Sequence, residues 1–280
     1  MTNEKKEKLA LTIAAMQKRW GTRIIGRSPA QLSSAFPAIS TSFPPLDEAI
    51  GIGGIPRGRI SELVGMPTSG MATLALKIAA SAQENGGMAV FLDLIGTFDP
   101  GYAWRCGVRL SLLTLVRPYN VKQSLSILSD FAINGGIGLI IFDMPLSLQN
   151  QSHNVIELSS TLGSILASLS RNETALLFLT SLPSQNDAAY PEQATLPHFA
   201  SLRLLLNKER WLFKQRDVYG YEAQVIIAKN KLHKPGPNVR IRITFNSAIE
   251  DDSPSNTQFM IDPEPYSNWQ DYCDQYGNDD

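Results

Sequence analysis

One stretch decides the fold of this chain: Ile60-Ser-Glu-Leu-Val-Gly-Met-Pro-Thr-Ser-Gly-Met-Ala-Thr-Leu-Ala-Leu76. A β-rich run, Ile60 to Val64, meets a turn made of Gly, Pro and Ser, and a helix-forming run follows from Ala72. This strand–loop–helix order is typical of a phosphate-binding P-loop, in which backbone N–H groups and the helix N-terminus receive an anion. The motif is G-x-x-x-x-G-K-[ST], and Gly65 and Gly70 have its glycine spacing.

Two positions of this motif have lost the groups that handle charge. Met71 stands where the motif has lysine, and Ala72 stands where it has the hydroxyl that binds Mg²⁺. Thr73 carries a hydroxyl one residue later, but one helical step rotates it ~100° away from the phosphate. The sequence therefore predicts the shape of a nucleotide site without two of its working groups.

Outside this stretch, apolar strands alternate with helices. The predicted strands are 88–93, 113–116, 137–143, 174–180, 199–206, 221–228 and 240–245. The predicted helices are 45–50, 73–85, 100–106, 121–134 and 154–171. Near-continuous apolar strands that alternate with helices predict an α/β fold with a twisted, mostly parallel sheet and helices on both faces. The last strands are expected to be antiparallel and to form one edge.

The chain divides into three parts. Residues 1–37 are a predicted helix-strand docking segment and linker, residues 38–246 the core domain, and residues 247–280 an acidic tail that we expect to be disordered. The helix of the first part, at 4–20, has an apolar stripe, and a short apolar run follows at 23–26. One helix and one strand cannot bury their own apolar face, so this part is expected to pack on another surface, such as a neighbouring subunit.

Charge is distributed unevenly along the chain. Residues 247–280 contain nine acidic residues and no Lys or Arg, whereas the other 246 residues hold all 25 basic groups and 17 acidic groups. A basic body with an acidic tail is common in nucleic-acid proteins, where the tail competes with phosphate, but a solvated terminus without function explains it equally. Two distant cysteines and the lack of an apolar run of ~18 residues predict a cytoplasmic protein without disulfides or membrane spans.

Several local sequences resemble those of the bacterial recombinase RecA, from about residue 5 to residue 246. They are Ile39-Ser-Thr-Ser-Phe-Pro-Pro-Leu-Asp47 with Gly51-Ile-Gly-Gly-Ile-Pro-Arg-Gly-Arg-Ile60, Phe91-Leu-Asp93 with Phe98-Asp-Pro-Gly-Tyr-Ala103, Leu196-Pro-His-Phe-Ala-Ser-Leu-Arg203, and Val225-Ile-Ile-Ala-Lys-Asn-Lys231. The resemblance implies a RecA-like P-loop core. The chain also resembles short relatives with a degenerate P-loop, such as ImuA, the partner of an error-prone polymerase module.

The same resemblance implies roles for further residues. Asp143, at the end of its apolar strand, fits the Walker B aspartate that supports Mg²⁺. Asp99 and Tyr102 match the residues that hold and stack adenine. Lys229 and Lys231 match lysines that reach the ATP of the neighbouring subunit, although a solvated strand edge explains this pair as well.

The resemblance also implies that catalysis is lost. Ile95 stands where the family has the carboxylate that activates water, so with Met71 and Ala72 three losses predict no hydrolysis and no catalytic residue. ATP or ADP is expected to bind weakly at best, and no cofactor or metal is assigned. The degenerate nucleotide site comprises Gly65, Ser69, Gly70, Met71, Ala72, Thr73, Asp99, Tyr102, Asp143, Lys229 and Lys231.

DNA contacts are expected away from the two DNA loops of the family. Those loops would fall at 146–156 and 181–197, and neither contains Lys or Arg. Basic groups interleaved with aromatic rings suit single strands, and such a cluster lies between residues 203 and 216. Its members are Arg203, Lys208, Arg210, Trp211, Lys214 and Arg216. A protein interface and an ordinary exposed hairpin remain alternatives.

Two functions from different classes follow. The first is an accessory protein of DNA repair and recombination, within an SOS-type response, that does not hydrolyse ATP and binds a recombinase filament, a repair polymerase or single-stranded DNA. Any homo-oligomers of this protein would form through its N-terminal segment. The second is an ATP-dependent recombinase or ATPase with an unorthodox P-loop. A folded scaffold without a DNA role is a third reading.

Overall fold

The computed structural model describes residues 3–21, 36–84, 86–144, 151–182, 195–234 and 236–244. Its helices are α1 (Asn3–Trp20), α2 (Pro44–Ile50), α3 (Met71–Glu84), α4 (Pro100–Arg105), α5 (Val121–Asn134), α6 (Ser152–Asn172) and α7 (Thr195–Phe199). Its strands are β1 (Ala38–Ile39), β2 (Ile55–Pro56), β3 (Ile60–Gly65), β4 (Ala89–Asp93), β5 (Leu113–Val116), β6 (Leu139–Asp143), β7 (Ala175–Ser181), β8 (Leu202–Lys214), β9 (Asp217–Asn230) and β10 (Val239–Thr244). No helix within these ranges is both long enough and apolar enough to cross a membrane.

Eight strands form the central sheet, in the order β10-β9-β8-β3-β7-β6-β4-β5. The strands from β8 to β5 run parallel to one another, and β9 and β10 add antiparallel pairs at one edge. The predicted fold class is therefore confirmed, including the antiparallel edge and the N-terminal helix. A two-stranded antiparallel sheet, β1 with β2, was not predicted.

The parallel strands are apolar throughout because both faces of the sheet are covered. In β6, Leu139 and Ile141 pack into the cluster that contains α3, whereas Ile140 and Phe142 pack into the cluster that contains α5 and α6. A strand whose alternate residues enter two different cores reads as a continuous apolar run rather than as an alternating one. The sequence pattern of β6 thus reports its central place in the sheet.

The antiparallel strands are longer than predicted. β8 continues eight residues beyond Leu206, to Lys214, and β9 begins four residues before Tyr221, at Asp217. The pairing of β8 with β3 ends at Leu206, so the rest of β8 pairs with β9 alone. The predicted strand 199–206 also began too early, because Phe199 belongs to α7. The short helix α7 was not predicted, and it spans the end of the predicted loop 181–197 and the first residue of that strand.

Several predictions fall wholly or partly outside the described residues. They are the N-terminal strand at 23–26, most of the two loops at 146–156 and 181–197, and the acidic tail at 247–280.

Candidate functional site: a P-loop cradle and a protruding ribbon

The P-loop, from Gly65 to Gly70, joins β3 to α3 at the carboxyl edge of the sheet. Below, this loop together with the first turn of α3 is called the cradle. β3 ends at Gly65 and α3 begins at Met71, as the motif predicts. Gly70 has a φ of +99°, in the left-handed region that favours glycine. A Cβ on Gly65 would lie 2.7 Å from the carbonyl oxygen of Leu206, so β8 also approaches too closely for a larger residue. Both glycines of the motif are thus required by backbone geometry.

The two substituted positions of the motif face different surroundings. Met71 is only 7% exposed and packs in the hydrophobic core beside α3. Its side chain is buried among apolar residues, whereas a lysine at this position would bring a positive charge to a phosphate. Ala72 is exposed at the N-terminus of α3 and has no hydroxyl with which to bind a metal. These residues do not fit a Mg²⁺–nucleoside triphosphate complex.

Two tyrosines converge on the first turn of α3. The Thr73 hydroxyl lies 2.5 Å from the Tyr102 hydroxyl, and Tyr221 lies close to both residues. Tyr221 is buried, and burial, with the nearby Tyr102 adding to it, raises the pKa of Tyr221 to about 12. A Cβ built on Gly70 would lie 2.4 Å from Ile243 Cδ1 and 3.3 Å from the Tyr221 oxygen, so β9 and β10 pack directly against the loop.

Two carboxylates stand at the same edge of the sheet as the P-loop. Asp143 ends β6 and pairs in register with Asp93 on β4 and with Leu179 on β7. β7 is the neighbour of β3, so Asp143 lies two strands, about 10 Å, from the strand that enters the P-loop. Burial raises the pKa of Asp143 to about 6, and the nearby Asp93 adds to this, although the Thr97 hydroxyl donates a hydrogen bond to Asp143.

Asp93 builds the loop that follows β4. Its carboxylate accepts backbone N–H groups from Gly96 at 2.8 Å, Thr97 at 2.9 Å and Phe98 at 3.2 Å, and the Arg117 guanidinium pairs with it at 3.1 Å. Ile95, at the position of the water-activating carboxylate, is 45% exposed in this loop. The loop is thus held in place by Asp93, and it presents an apolar side chain where ATP hydrolysis would require a carboxylate.

The remaining residues assigned to the nucleotide site lie away from the P-loop or form hydrogen bonds with backbone groups. Asp99 caps α4 by accepting the Tyr102 N–H at 3.0 Å. Lys229 and Lys231 donate to the carbonyls of Pro197 and His198. Lys229 is opposite Arg203, near the start of β8, about 10 Å along the strand from the residues beside the P-loop. Within one chain these lysines therefore lie away from the cradle.

The cluster expected to bind DNA divides into three groups. Arg203 is nearly buried, and its guanidinium pairs at 2.7 Å with Glu62, a fully buried carboxylate of β3. Lys208 lies over the Trp211 ring, 4.0 Å from its centroid, and Arg210 pairs with Glu222 at 2.6 Å. The exposed group is Lys214 and Arg216, at the end of the hairpin.

Residues 207–214 of β8 and 217–224 of β9 form a hairpin that we call the β8–β9 ribbon. β10 pairs with its inner part, from Gly220, so only its tip is two-stranded. Phe213 and Val218 are 57% and 39% exposed near its tip. Exposed aromatic and aliphatic side chains beside Lys214 and Arg216 give the tip a basic and apolar character. On the sheet face that carries Glu222, arginines from two strands converge, because Arg242 pairs with the same carboxylate at 3.0 Å.

Sequence reasoning missed the residues that close and support the site. Tyr221 and Ile243 lie more than 145 positions from the P-loop, and only the strand register brings them there. Glu62 accepts from Thr180 as well as from Arg203, which makes a buried polar cluster across β8, β3 and β7. A charged residue inside an apolar strand was the available signal for Glu62, since a buried charge requires a partner.

The strand–loop–helix geometry and the sheet order define a P-loop protein of the α/β class, and comparison with known proteins gives its family. The RecA N-terminal domain family matches residues 7–250. The RecA protein of Herpetosiphon aurantiacus is 33% identical over 264 residues, which cover 88% of this chain and 74% of that protein. The RecA protein of Geobacter sulfurreducens is 31% identical over 270 residues, which cover 89% and 79%.

A solved structure agrees in fold. The crystal structure of the RadB recombinase superposes with a TM-score of 0.60 at 23% identity, over 76% of this chain and 99% of that one. At this identity the likeness concerns the fold alone. The chain belongs to the RecA family of recombination and repair proteins.

Proposed function

We propose that this chain is a RecA-like accessory protein of DNA repair and recombination that does not hydrolyse ATP. Met71 carries this proposal, because it stands at the lysine position and is buried in the core rather than directed at a ligand. A charge-assisted contact to phosphate contributes about 1.5–3 kcal/mol to binding, and this chain has no such contact at that position. Ala72 and Ile95 remove the metal hydroxyl and the water-activating carboxylate.

The catalytic part of the proposal is tested by nucleotide turnover and binding. Purified protein with Mg²⁺ and single-stranded DNA should release no phosphate above the level of a mock purification. Equilibrium dialysis with labelled ATP should give no binding below the millimolar range. Micromolar affinity or DNA-stimulated phosphate release would contradict the proposal.

The partner that we propose is a recombinase filament, docked through residues 1–37. Leu9 and Met16 of α1 are 54% and 47% exposed and lie with Ile13 within a helical sector of about 60°. An exposed apolar stripe of this kind is suited to burial against another subunit. The same segment provides the surface for homo-oligomers of this chain.

A pull-down against the recombinase of the same organism tests this surface. Leu9→Asp with Met16→Asp should abolish capture, as should deletion of residues 1–27. Leu11→Asp is the matched control, because Leu11 is 73% exposed but lies about 200° around the helix from Leu9. Equal loss of capture in the control would show that the stripe is not the docking face.

Single-stranded DNA is the second ligand that we propose, bound at the tip of the β8–β9 ribbon. Lys214, Arg216 and the exposed Phe213 supply charge and a stacking surface there. Lys214→Ala with Arg216→Ala should weaken binding and reduce its salt dependence. Arg210→Ala is the comparison, because Arg210 is paired with Glu222. Unchanged, salt-sensitive binding in the double variant would remove the ribbon as the DNA site.

The second candidate function is an ATP-dependent recombinase with an unorthodox site. Its support is the pair Asp93 and Asp143 at the carboxyl edge, together with lysines at the far end of the sheet, where a neighbouring subunit would present them. Phosphate release by the wild-type chain supports only this function. The variant Met71→Lys with Ala72→Thr is a second test of these two functions, because restoring the motif should leave an accessory role intact.

A further inference from the structure

Two tyrosines lie beside the start of α3, next to the cradle. Thr73 lies in the first turn of α3, and its hydroxyl lies 2.5 Å from that of Tyr102 on α4. The hydroxyl oxygen of Tyr221 on β9 would lie 3.3 Å from a Cβ built on Gly70, the loop residue that immediately precedes α3. Tyr221 therefore stands beside the loop residue that leads into α3.

Tyr221 is the more firmly held of these two rings. It is 7% exposed, and the edge of the Trp211 ring packs against it with the centroids 5.8 Å apart. Ile243, 2% exposed, lies beside it against Gly70. β10 is paired with β9 directly across from this tyrosine, at the Ile243–Tyr221 pair. Displacing Tyr221 would thus expose core residues of β8 and β10 as well.

We propose that Tyr221 excludes nucleotides from the cradle by occupying the space before the first turn of α3, independently of Met71 and Ala72. This inference rests on the proposed function, in which the wild-type cradle carries no nucleotide. Its consequence is that restoring the two motif residues is not sufficient to restore binding. The cradle opens only when the ring of Tyr221 is removed as well.

The test compares Mg²⁺–ATP binding by four full-length proteins in equilibrium dialysis. They are the wild type, Met71→Lys with Ala72→Thr, the same pair with Tyr221→Val, and the same pair with Tyr119→Ala. Valine keeps an apolar, strand-forming side chain on β9. Tyr119 is 93% exposed and serves as the control for loss of a tyrosine elsewhere. The Tyr221→Val triple variant should bind at least tenfold more tightly than the motif pair, whereas the Tyr119→Ala variant should equal the pair.

Two further variants keep the test decisive. Tyr221→Ser in the motif pair also removes the ring, and it replaces Tyr221→Val if thermal unfolding shows that valine prevents folding. Tyr221→Phe keeps the ring, so the motif pair with this change should still exclude ATP. Tight binding by the motif pair alone, or no gain in either opened variant, would overturn the inference. Micromolar binding by the wild type would instead overturn the proposed function, so the two failures are distinguishable.

Discussion

Replacing Arg203 tests whether this residue supports the fold or binds DNA. Its guanidinium Nε lies 2.7 Å from a carboxylate oxygen of Glu62, and the side chains are 13% and 0% exposed. Thr180 donates to the other oxygen at 2.7 Å. Arg203→Leu preserves the strand and most of the apolar volume while it removes the cation. The carboxylate of Glu62 then remains in the middle of the sheet without its arginine.

The expected cost is large because the charge stays buried. Removing one partner of a buried ion pair costs about 3–5 kcal/mol of unfolding free energy. For a domain of this size each kcal/mol lowers the melting temperature by roughly 2–4 °C, so Arg203→Leu should lower it by about 6–20 °C. Arg210→Leu is the matched control, since its side chain is 63% exposed and Arg242 remains beside Glu222. It should cost no more than about 1 kcal/mol.

Urea denaturation of a double-mutant cycle measures the pair directly. The members are Arg203→Leu, Glu62→Gln and the combination, each followed by far-UV circular dichroism. The combined variant should be more stable than the sum of the single losses predicts, with a coupling energy of about 2–3 kcal/mol. Additive losses, or an Arg203→Leu variant as stable as the Arg210→Leu control, would refute the reasoning. Arg203 would then be available for a surface role.

Three smaller predictions concern the loop and two carboxylates. Gly70→Ala should destabilise the fold by about 1–3 kcal/mol more than Gly53→Ala in urea denaturation, because both glycines have positive φ but only Gly70 has a side chain 2.4 Å from the new Cβ; equal losses would contradict this. The pKa of Asp143 is raised to about 6 in the folded state, so its contribution to stability is fully present below pH 4 and is lost as the pH rises through 6. Asp143→Asn should therefore be more stable than the wild type at pH 7.5 but not at pH 4, and a constant difference across that range would be the contrary result. Glu222 behaves in the opposite way, because hydrogen bonds from two arginines outweigh the effect of burial and lower its pKa; Glu222→Gln should cost stability at pH 7 and progressively less as the pH falls below 4, as measured by thermal unfolding.

The alternating elements could be predicted because each strand of the parallel sheet is apolar on both faces. Leu139 to Phe142 show this, since they enter two cores and no polar residue interrupts them. The P-loop was equally visible, because Gly65 and Gly70 are fixed by geometry that few residues satisfy. Local sequence was sufficient wherever the constraint itself was local.

The ribbon and the closure of the cradle could not be predicted for the opposite reason. Residues 207–214 are mixed polar and apolar, because that part of β8 extends past its pairing with β3 and pairs with β9 alone. Contacts of Tyr221 and Ile243 with Gly70 depend on the register of three strands. Arg203 was assigned to a surface because its neighbours in sequence are basic, whereas its neighbour in space is Glu62.

The cradle and its closure have different implications for how nucleotide dependence is lost. A missing lysine weakens the binding of a ligand that still fits, whereas a side chain in the binding space excludes the ligand. Only such a side chain also stabilises the folded protein. Tyr221 buries its ring against Trp211 and lies with Ile243 beside Gly70, so it stabilises the loop without any ligand. Binding of nucleotide stabilises a P-loop only in proportion to ligand concentration. A cradle packed by its own side chains is stable at any nucleotide concentration, which suits the role that we propose, in which α1 and the β8–β9 ribbon are presented in one fixed state.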